Sequence, residues 1–302
     1  MPDIDVARVR RLFDRSEARR GDFILREISS RLFERLEYIR LDARAVLDAG
    51  CGSGADAALL SGRFPDARLL AVDHAPHRLG AGAIDTRAGL PRWLGRWMRP
   101  SGALKLAADL GALPLAPASL DLIWSSLALH WHPAPHTVFP EWRRVLRTHG
   151  LLLFSAFGPD TLKEVREAFA LADPGAAPTA HVAAFTDMHD YGDMLVAAGF
   201  ATPVMDAERL TLTYSSAASL WDDVRALGGN AAGARRHGLL GRQARRRLDA
   251  ALDARRDADG RYQLSFEIIY GHAWKGEART TAAGETIVRL ERGPRPPGNT
   301  PG

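Results

Sequence analysis

The chain has 302 residues, of which 46% are hydrophobic and 25% charged, with a formal net charge of +4. A chain of that size and mix supports a substantial core without disulfides. Its single cysteine, Cys51, excludes an intrachain disulfide and suits a reducing compartment. The opening stretch "MPDIDVARVRRLFDRSEARR" has no apolar core of a secretion signal. No run approaches the roughly eighteen apolar residues of a membrane span, so the expectation is a cytoplasmic protein without a membrane anchor. Only Lys105, Lys163 and Lys275 among the 40 basic residues are lysine. Such an arginine- and alanine-rich composition reads as genomic bias, not as a nucleic-acid-binding surface.

In chain order, residues 21–40 place Leu25, Ile28, Leu32, Leu36 and Ile39 at helical spacing and predict an amphipathic helix. "AVLDAG" is a short buried strand running into glycines, and Ala55 to Arg63 reads as the helix after it. "ARLLAVD" is a second strand ending in Asp73. A basic stretch at 84–100, with Trp93 and Trp97, reads as an insertion. "ALKLAAD" is a third strand ending in Asp109, and "LDLIWSS" a fourth. Residues 137–147 are predicted helical, "GLLLFSAF" is a fifth strand, and "DTLKEVREAFALA" a helix with Asp160 as N-cap and Glu164 a turn later. Beyond Ala172, "DMLVAAGF" is a helix stopped by Gly199, "ERLTLTY" a strand, and "SLWDDVRALGGN" a helix closed by Gly228 and Gly229. "YQLSFEIIYGHAWK" is a late strand. Alternating helices and apolar strands mean a parallel α/β sheet. The expected organisation is one domain over 1–275, with helical cap elements within about 172–256, and a disordered, low-complexity tail over 276–302.

The stretch "VLDAGCGSGADA", Val46 to Ala57, carries the chemistry. It lacks the lysine of a phosphate-binding Walker loop. A dinucleotide fingerprint fits formally at Gly50, Gly52 and Ala55, with Asp73 roughly 20 residues on. Asp48 argues against it: a carboxylate at the tip of the first strand repels a pyrophosphate and suits a cofactor that is cationic there. S-adenosylmethionine, with an ammonium and a sulfonium and no phosphate, is such a cofactor. Asp73 is then placed to accept the ribose hydroxyls and Asp109 the adenine amino group, at the carboxyl ends of successive strands. Cys51 reads as a loop filler, having no neighbouring cation to lower its pKa. The histidines of "HWHPAPH" (His130, His132, His136) and His189 read as pocket-lining or loop residues, with no metal site. A nicotinamide-linked oxidoreductase and a non-catalytic scaffold stay open as alternatives.

"VLDAGCGSG", "AADLGALPLAPASLDLIWSSLALHW" and "EWRRVLRTHGLLLFSAFGPDTLKEVR" resemble the class I methyltransferases. With "HVAAFTDMHDYGDMLVAAGF", "VRALGGNAAGARRHGL" and "FEIIYGHAWK", the chain resembles more narrowly the malonyl-[acyl-carrier protein] O-methyltransferases of biotin synthesis, from about Leu12 to Lys275. The resemblance implies a Rossmann-like, mostly parallel seven-stranded sheet flanked by helices, with a helical cap from insertions. It implies S-adenosylmethionine-dependent methyl esterification of the free carboxylate of malonyl-[acyl-carrier protein] or malonyl-CoA. An alternative within the fold is another small carboxylate or protein acceptor, or an assembly factor. Beside Asp48, Gly50, Gly52, Asp73 and Asp109, the expected cofactor contacts are Ser53, Gly54, His74, Leu110 and Ser125. No acid or base is expected, because a carboxylate is already ionised at neutral pH. Arg144 is the candidate for holding the acceptor carboxylate, with Ser126 and Trp131 shaping the pocket. Relatives carry an N-terminal tyrosine over the cofactor; "SEARRGDF" has none, and Phe23 is its candidate substitute. Acyl-carrier proteins are acidic. Two basic stretches are candidates to dock one: Arg235–Arg256, within a segment where eight arginines face two aspartates, and Arg87–Arg99.

Overall fold

A computed structural model describes residues 4–15, 22–80, 84–85, 103–177, 179, 181–236, 238 and 240–277. The Arg87–Arg99 stretch and the tail after residue 277 lie outside the described residues.

Helices α1 (Val6–Arg15) and α2 (Asp22–Glu37) precede the sheet. Then follow β1 (Ala45–Ala49), α3 (Ala57–Arg63), β2 (Arg68–Asp73), α4 (Pro76–Leu79), β3 (Ile84–Asp85), β4 (Leu104–Ala107) and β5 (Leu120–Ser125). A 3-10 turn, Leu129–Trp131, leads to α5 (Pro135–Val145), β6 (Leu146–Phe157) and α6 (Lys163–Ala172). The distal half holds α7 (Met188–Ala197), β7 (Ala201–Tyr214), α8 (Ala217–Ala226), α9 (Arg242–Asp253) and β8 (Tyr262–Trp274). The strands form one sheet in the order β3-β4-β2-β1-β5-β6-β8-β7. The pairs from β3 to β6 are parallel, and β8 is antiparallel to both β6 and β7. All seven expected strands are present, and the two-residue β3 adds an edge at the stretch read as an insertion.

The central strands are apolar on both faces because helices cover both. Along β6, Leu151, Leu153 and Phe157 face one core, with Ile28, Leu32 and Leu36 of α2 and Val165 of α6. Leu152, Phe154 and Ala156 face the other, with Val138, Phe139 and Trp142 of α5 and Tyr191 of α7. The period of two that set this pattern is the one β1 shows, Val46 on the first face and Leu47 on the second. In α2, Ile28, Leu32 and Leu36 are fully buried as their spacing predicts, while Leu25 and Ile39 pack at the margin of that core.

Two expectations change. Asp160 is not an N-cap: Leu162 takes a left-handed conformation (φ 58°), so α6 starts only at Lys163. Asp160 pairs with Arg209, and the Glu164 carboxylate accepts from the Ser265 backbone N–H and hydroxyl, pinning α6 to β8. The 172–256 stretch, expected to hold cap elements, divides between the sandwich and the cover. α7 and β7 belong to the sandwich, and α8 and α9 lie against its first face through Leu220, Leu248 and Leu252. The cover over the parallel strand ends is α1, whose Val9 packs with Trp131 and with Ala183, Ala231 and Ala232 of that stretch.

Candidate functional site

The carboxyl ends of β1, β2 and β4 open into a cavity of about 410 Å³. Asp48 on β1, Asp73 closing β2, and Asp109 just past β4 line it, together with Gly50, Gly52, Ser53, His74, Leu110, Ser126 and Trp131. Such a crevice is where an open parallel sheet binds its ligand. The chain leaves β1 through Gly50 at φ 83°, a left-handed turn that puts the Gly50 and Cys51 amides on the Val72 carbonyl at 2.7 and 3.0 Å.

Asp48 is 2% exposed, and its Oδ2 has no hydrogen-bond partner. Burial pushes its carboxyl well above the ordinary range, and the charges of Asp56 and Asp73 push it further. An orphaned buried carboxylate oxygen aimed into a cavity fits a cationic ligand group, which would supply the missing partner. Asp73 is already oriented: its Oδ2 accepts from the Gly52 N–H and its Oδ1 from the Ala75 N–H, each at 2.8 Å. That leaves lone pairs on both oxygens for hydroxyl donors. His74 Nε2 is also buried without a partner, and burial holds its imidazole below the ordinary range, hence neutral. At Asp109, Oδ1 takes the Gly111 N–H (2.7 Å) and lies 3.2 Å from His132 Nε2. Because His132 Nδ1 accepts from the Ala134 N–H (3.1 Å), Nε2 carries the proton and donates to Asp109. That bond is the first cause of the lowered Asp109 pKa. His132 thus lines the cavity, whereas His130 is buried, neutral with its pKa down to about 3, and outside it. No group of three potential metal ligands occurs among the described residues.

Four expected residues are elsewhere. The Arg144 guanidinium is taken up on α5: Nε and Nη2 pair with the Glu141 carboxylate, and Nη1 and Nη2 donate to the Leu115 and Leu113 carbonyls. It braces the loop after β4 and is not on the cavity wall. Ser125 is fully buried, its hydroxyl donating to the Ala49 carbonyl at 2.8 Å, so it ties β5 to the end of β1. Gly54 turns the loop (φ 87°) without lining the cavity. Phe23 is 67% exposed and is not among the cavity-lining residues. The covering aromatic is Phe13 of α1, edge-on to Trp131 (5.6 Å) and His74 (6.3 Å). Its sequence signal is the apolar row Val6, Val9, Phe13 at helical spacing.

Other lining residues went unread. Asp56 joins α2 to β5 beneath the loop, accepting from Ser29 Oγ (2.5 Å) and Trp124 Nε1 (2.7 Å). Arg26 and Arg78 are the guanidinium groups on the wall. Arg78 sits 5.2 Å from the Phe13 ring centroid and makes no ion pair among the described residues. Cys51 lines the cavity too, but burial and then the charge of Asp48 push its thiol far up, which disfavours a thiolate nucleophile.

Residues 47–154 match the family model described as a methyltransferase domain. Two solved structures share the fold: a putative methyltransferase from Bacillus halodurans (TM-score 0.54, 17% identity, 82% of this chain and 98% of that one) and the YcgJ protein from Bacillus subtilis (0.55, 16%, 84% and 100%). Sheet order, glycine loop and acidic strand ends together define a class I methyltransferase that uses S-adenosylmethionine. Among curated proteins, the malonyl-[acyl-carrier protein] O-methyltransferase of Laribacter hongkongensis is 48% identical over 91% of each chain. Those of Nitrosospira multiformis (43%, 92% of each) and Gallionella capsiferriformans (40%, 95% and 96%) follow. The chain belongs to the malonyl-[acyl-carrier protein] O-methyltransferase family.

Proposed function

We propose that this enzyme transfers a methyl group from S-adenosylmethionine to the free carboxylate of malonyl-[acyl-carrier protein], making the methyl ester in biotin synthesis. The observation that carries the cofactor half is the buried, unpartnered Asp48 Oδ2 at the tip of β1, which fits an ammonium and repels a pyrophosphate. It also disfavours a nicotinamide dinucleotide. When bound, S-adenosylmethionine supplies an electrophilic methyl on a sulfonium. Asp48 holds the ammonium, Asp73 the ribose hydroxyls, and Asp109, steadied by His132, the adenine amino group. Gly50 and Gly52 let the backbone approach, and Ser53, His74 and Leu110 complete the seat. The names of the relatives support the acceptor half.

The acceptor carboxylate is ionised at neutral pH and needs no general base. What the chain supplies is alignment, for which proximity alone contributes on the order of 7–11 kcal/mol, and a dry wall of Phe13, Trp131 and Ser126. An anion entering a cavity that holds four aspartates also needs a cation. Arg78 takes that role in place of Arg144, with Arg26 as the second guanidinium of the wall. Replacing Arg78 with Met should raise KM for a malonyl thioester about 10- to 100-fold, the worth of a charge-assisted hydrogen bond, with S-adenosylmethionine affinity changed less than about threefold. Unchanged KM would remove Arg78 from the acceptor site.

An acidic carrier needs a basic landing surface. The Arg235–Arg256 segment is weaker than its composition suggests: six of its eight arginines are engaged. Arg235 pairs with Asp5, Arg236 with Asp173, Arg245 with Asp249, Arg255 with Glu167 and Arg256 with Asp253, while Arg247 donates to the Ala172 carbonyl. Arg242 and Arg246 remain exposed on α9.

The test of the reading is release of S-adenosylhomocysteine with malonyl and with acetyl thioesters. Release is expected only with malonyl, since acetyl lacks the carboxylate. Equal release with both would overturn it.

A further inference from the structure

Helix α1 is the most basic element beside the cavity. It carries Arg8, Arg10, Arg11 and Arg15 against Asp14, with no acid in its first turn. Its inner face, through Val6 and Phe13, is part of the cavity wall, and its outer face is exposed at Ala7 and Arg11. Arg11 is exposed and makes no ion pair among the described residues. Arg10 is 39% exposed and only loosely paired with Asp14, at 3.7 Å. Arg8 donates to the Asn230 carbonyl at 2.8 Å, beside the Arg235–Asp5 pair. Burial and then repulsion from Arg235 lower the pKa of Arg8, against the attraction of Asp5, and Arg11 adds to the repulsion. Arg78 continues the positive charge onto the wall below, stacked on the Phe13 ring.

Resting on the acceptor reading above, we infer that the exposed side of α1, centred on Arg11 with Arg10 towards the cavity edge, is the docking surface for the acidic carrier protein. A carrier delivers its acyl group on a flexible thiol arm, so its protein body must settle at the rim of the cavity while the arm enters. The rim is where α1 lies. On α9 Arg242 and Arg246 are unmatched among the described residues, but no residue of α9 lines the cavity, whereas α1 offers Arg11 unmatched on a helix that forms part of the cavity wall. A surface of this kind acts on encounter and orientation, through a field that salt screens within about 10 Å at 0.1 M. The chemistry is untouched by it.

The experiment compares malonyl-carrier protein with a small malonyl thioester of N-acetylcysteamine, which has no protein body and no phosphate. In Arg11→Glu, KM for the carrier should rise about 5- to 10-fold at low salt, and KM for the small thioester should stay within twofold. Raising salt to about 0.5 M should close most of the gap between wild type and variant. The paired control, Arg242→Glu with Arg246→Glu on α9, should leave both substrates within twofold. Arg11→Glu without effect on the carrier, an equal effect on both substrates, or a carrier-specific loss in the α9 variant instead would each overturn the α1 surface while leaving the methyl-transfer reading intact. A wild-type enzyme inactive on both thioesters would overturn the activity reading, and the docking surface with it.

Discussion

Asp48→Asn should weaken S-adenosylmethionine binding at least 100-fold, close to 3 kcal/mol, while making the ligand-free protein more heat-stable. Both effects follow from one buried carboxylate without a partner on Oδ2. In the ligand-free fold, burial raises its pKa above the roughly 3.9 of an unfolded aspartate, so the folded state keeps the proton longer. Ionising it therefore costs stability, and that cost grows as pH rises from the unfolded value through the folded one. The amide has no charge to desolvate. Relief of about 1–3 kcal/mol would raise Tm by roughly 2–6 °C at neutral pH and by little near pH 4. A bound ammonium reverses the preference, because it favours the ionised form. Binding to the native protein should therefore strengthen as pH rises and should release protons, which calorimetry in buffers of different ionisation enthalpy reads directly. Asp48→Asn should lose that proton release. A variant that binds within threefold of wild type would mean that Asp48 does not hold the cationic end.

Gly50→Ala carries the second large effect. A Cβ at Gly50 would lie 2.1 Å from the Ala128 Cβ, on a backbone at φ 83°. The Ala128 methyl has no torsion that could swing it aside, so the chain between β5 and the Trp131 turn must move, and that chain lines the cavity. The left-handed conformation costs about 1–2 kcal/mol for an alanine and the overlap about 1–3 more. A loss of about 2–5 kcal/mol is expected, read as a lower urea midpoint at unchanged slope, together with weakened cofactor affinity. Gly54→Ala separates the two causes. Gly54 has a similar φ of 87° with nothing within 4 Å of the added carbon, so only the conformational cost should appear. Equal losses at both positions would show that contact with Ala128 is not the limiting feature.

The strands and the three acidic strand ends were legible in the sequence because their signals are local. β1, β2 and β4 announce themselves as apolar runs, and each run meets its aspartate within two residues. Gly199 stopping α7 and the glycines after α8 were legible for the same reason. Misreadings arose where a residue's partner is distant in sequence. Arg144 looked like a free cation, but the Leu113 and Leu115 carbonyls that claim it come from another loop; its partner Glu141, one helical turn before, was the local warning. The charge of the 235–256 segment was real, yet acids at Asp5, Glu167 and Asp173 cancel part of it across the fold. Phe23 stands near the "SEARRGDF" stretch in sequence only, whereas the position over the site goes to Phe13, which sits on the same helix face as Val6 and Val9. Asp160 had the chemistry of a cap, but the left-handed Leu162 starts the helix later.

The central claim is that a methyl group moves onto the free carboxylate of a malonyl thioester carried by a protein. Intact-mass measurement of malonyl-carrier protein after incubation with enzyme and S-adenosylmethionine, followed by fragmentation of the released acyl-thiol arm, tests it most directly. The expected result is one added methyl per carrier, located on the malonyl group as an ester. An unchanged mass, or a methyl located on a side chain of the carrier, would contradict it.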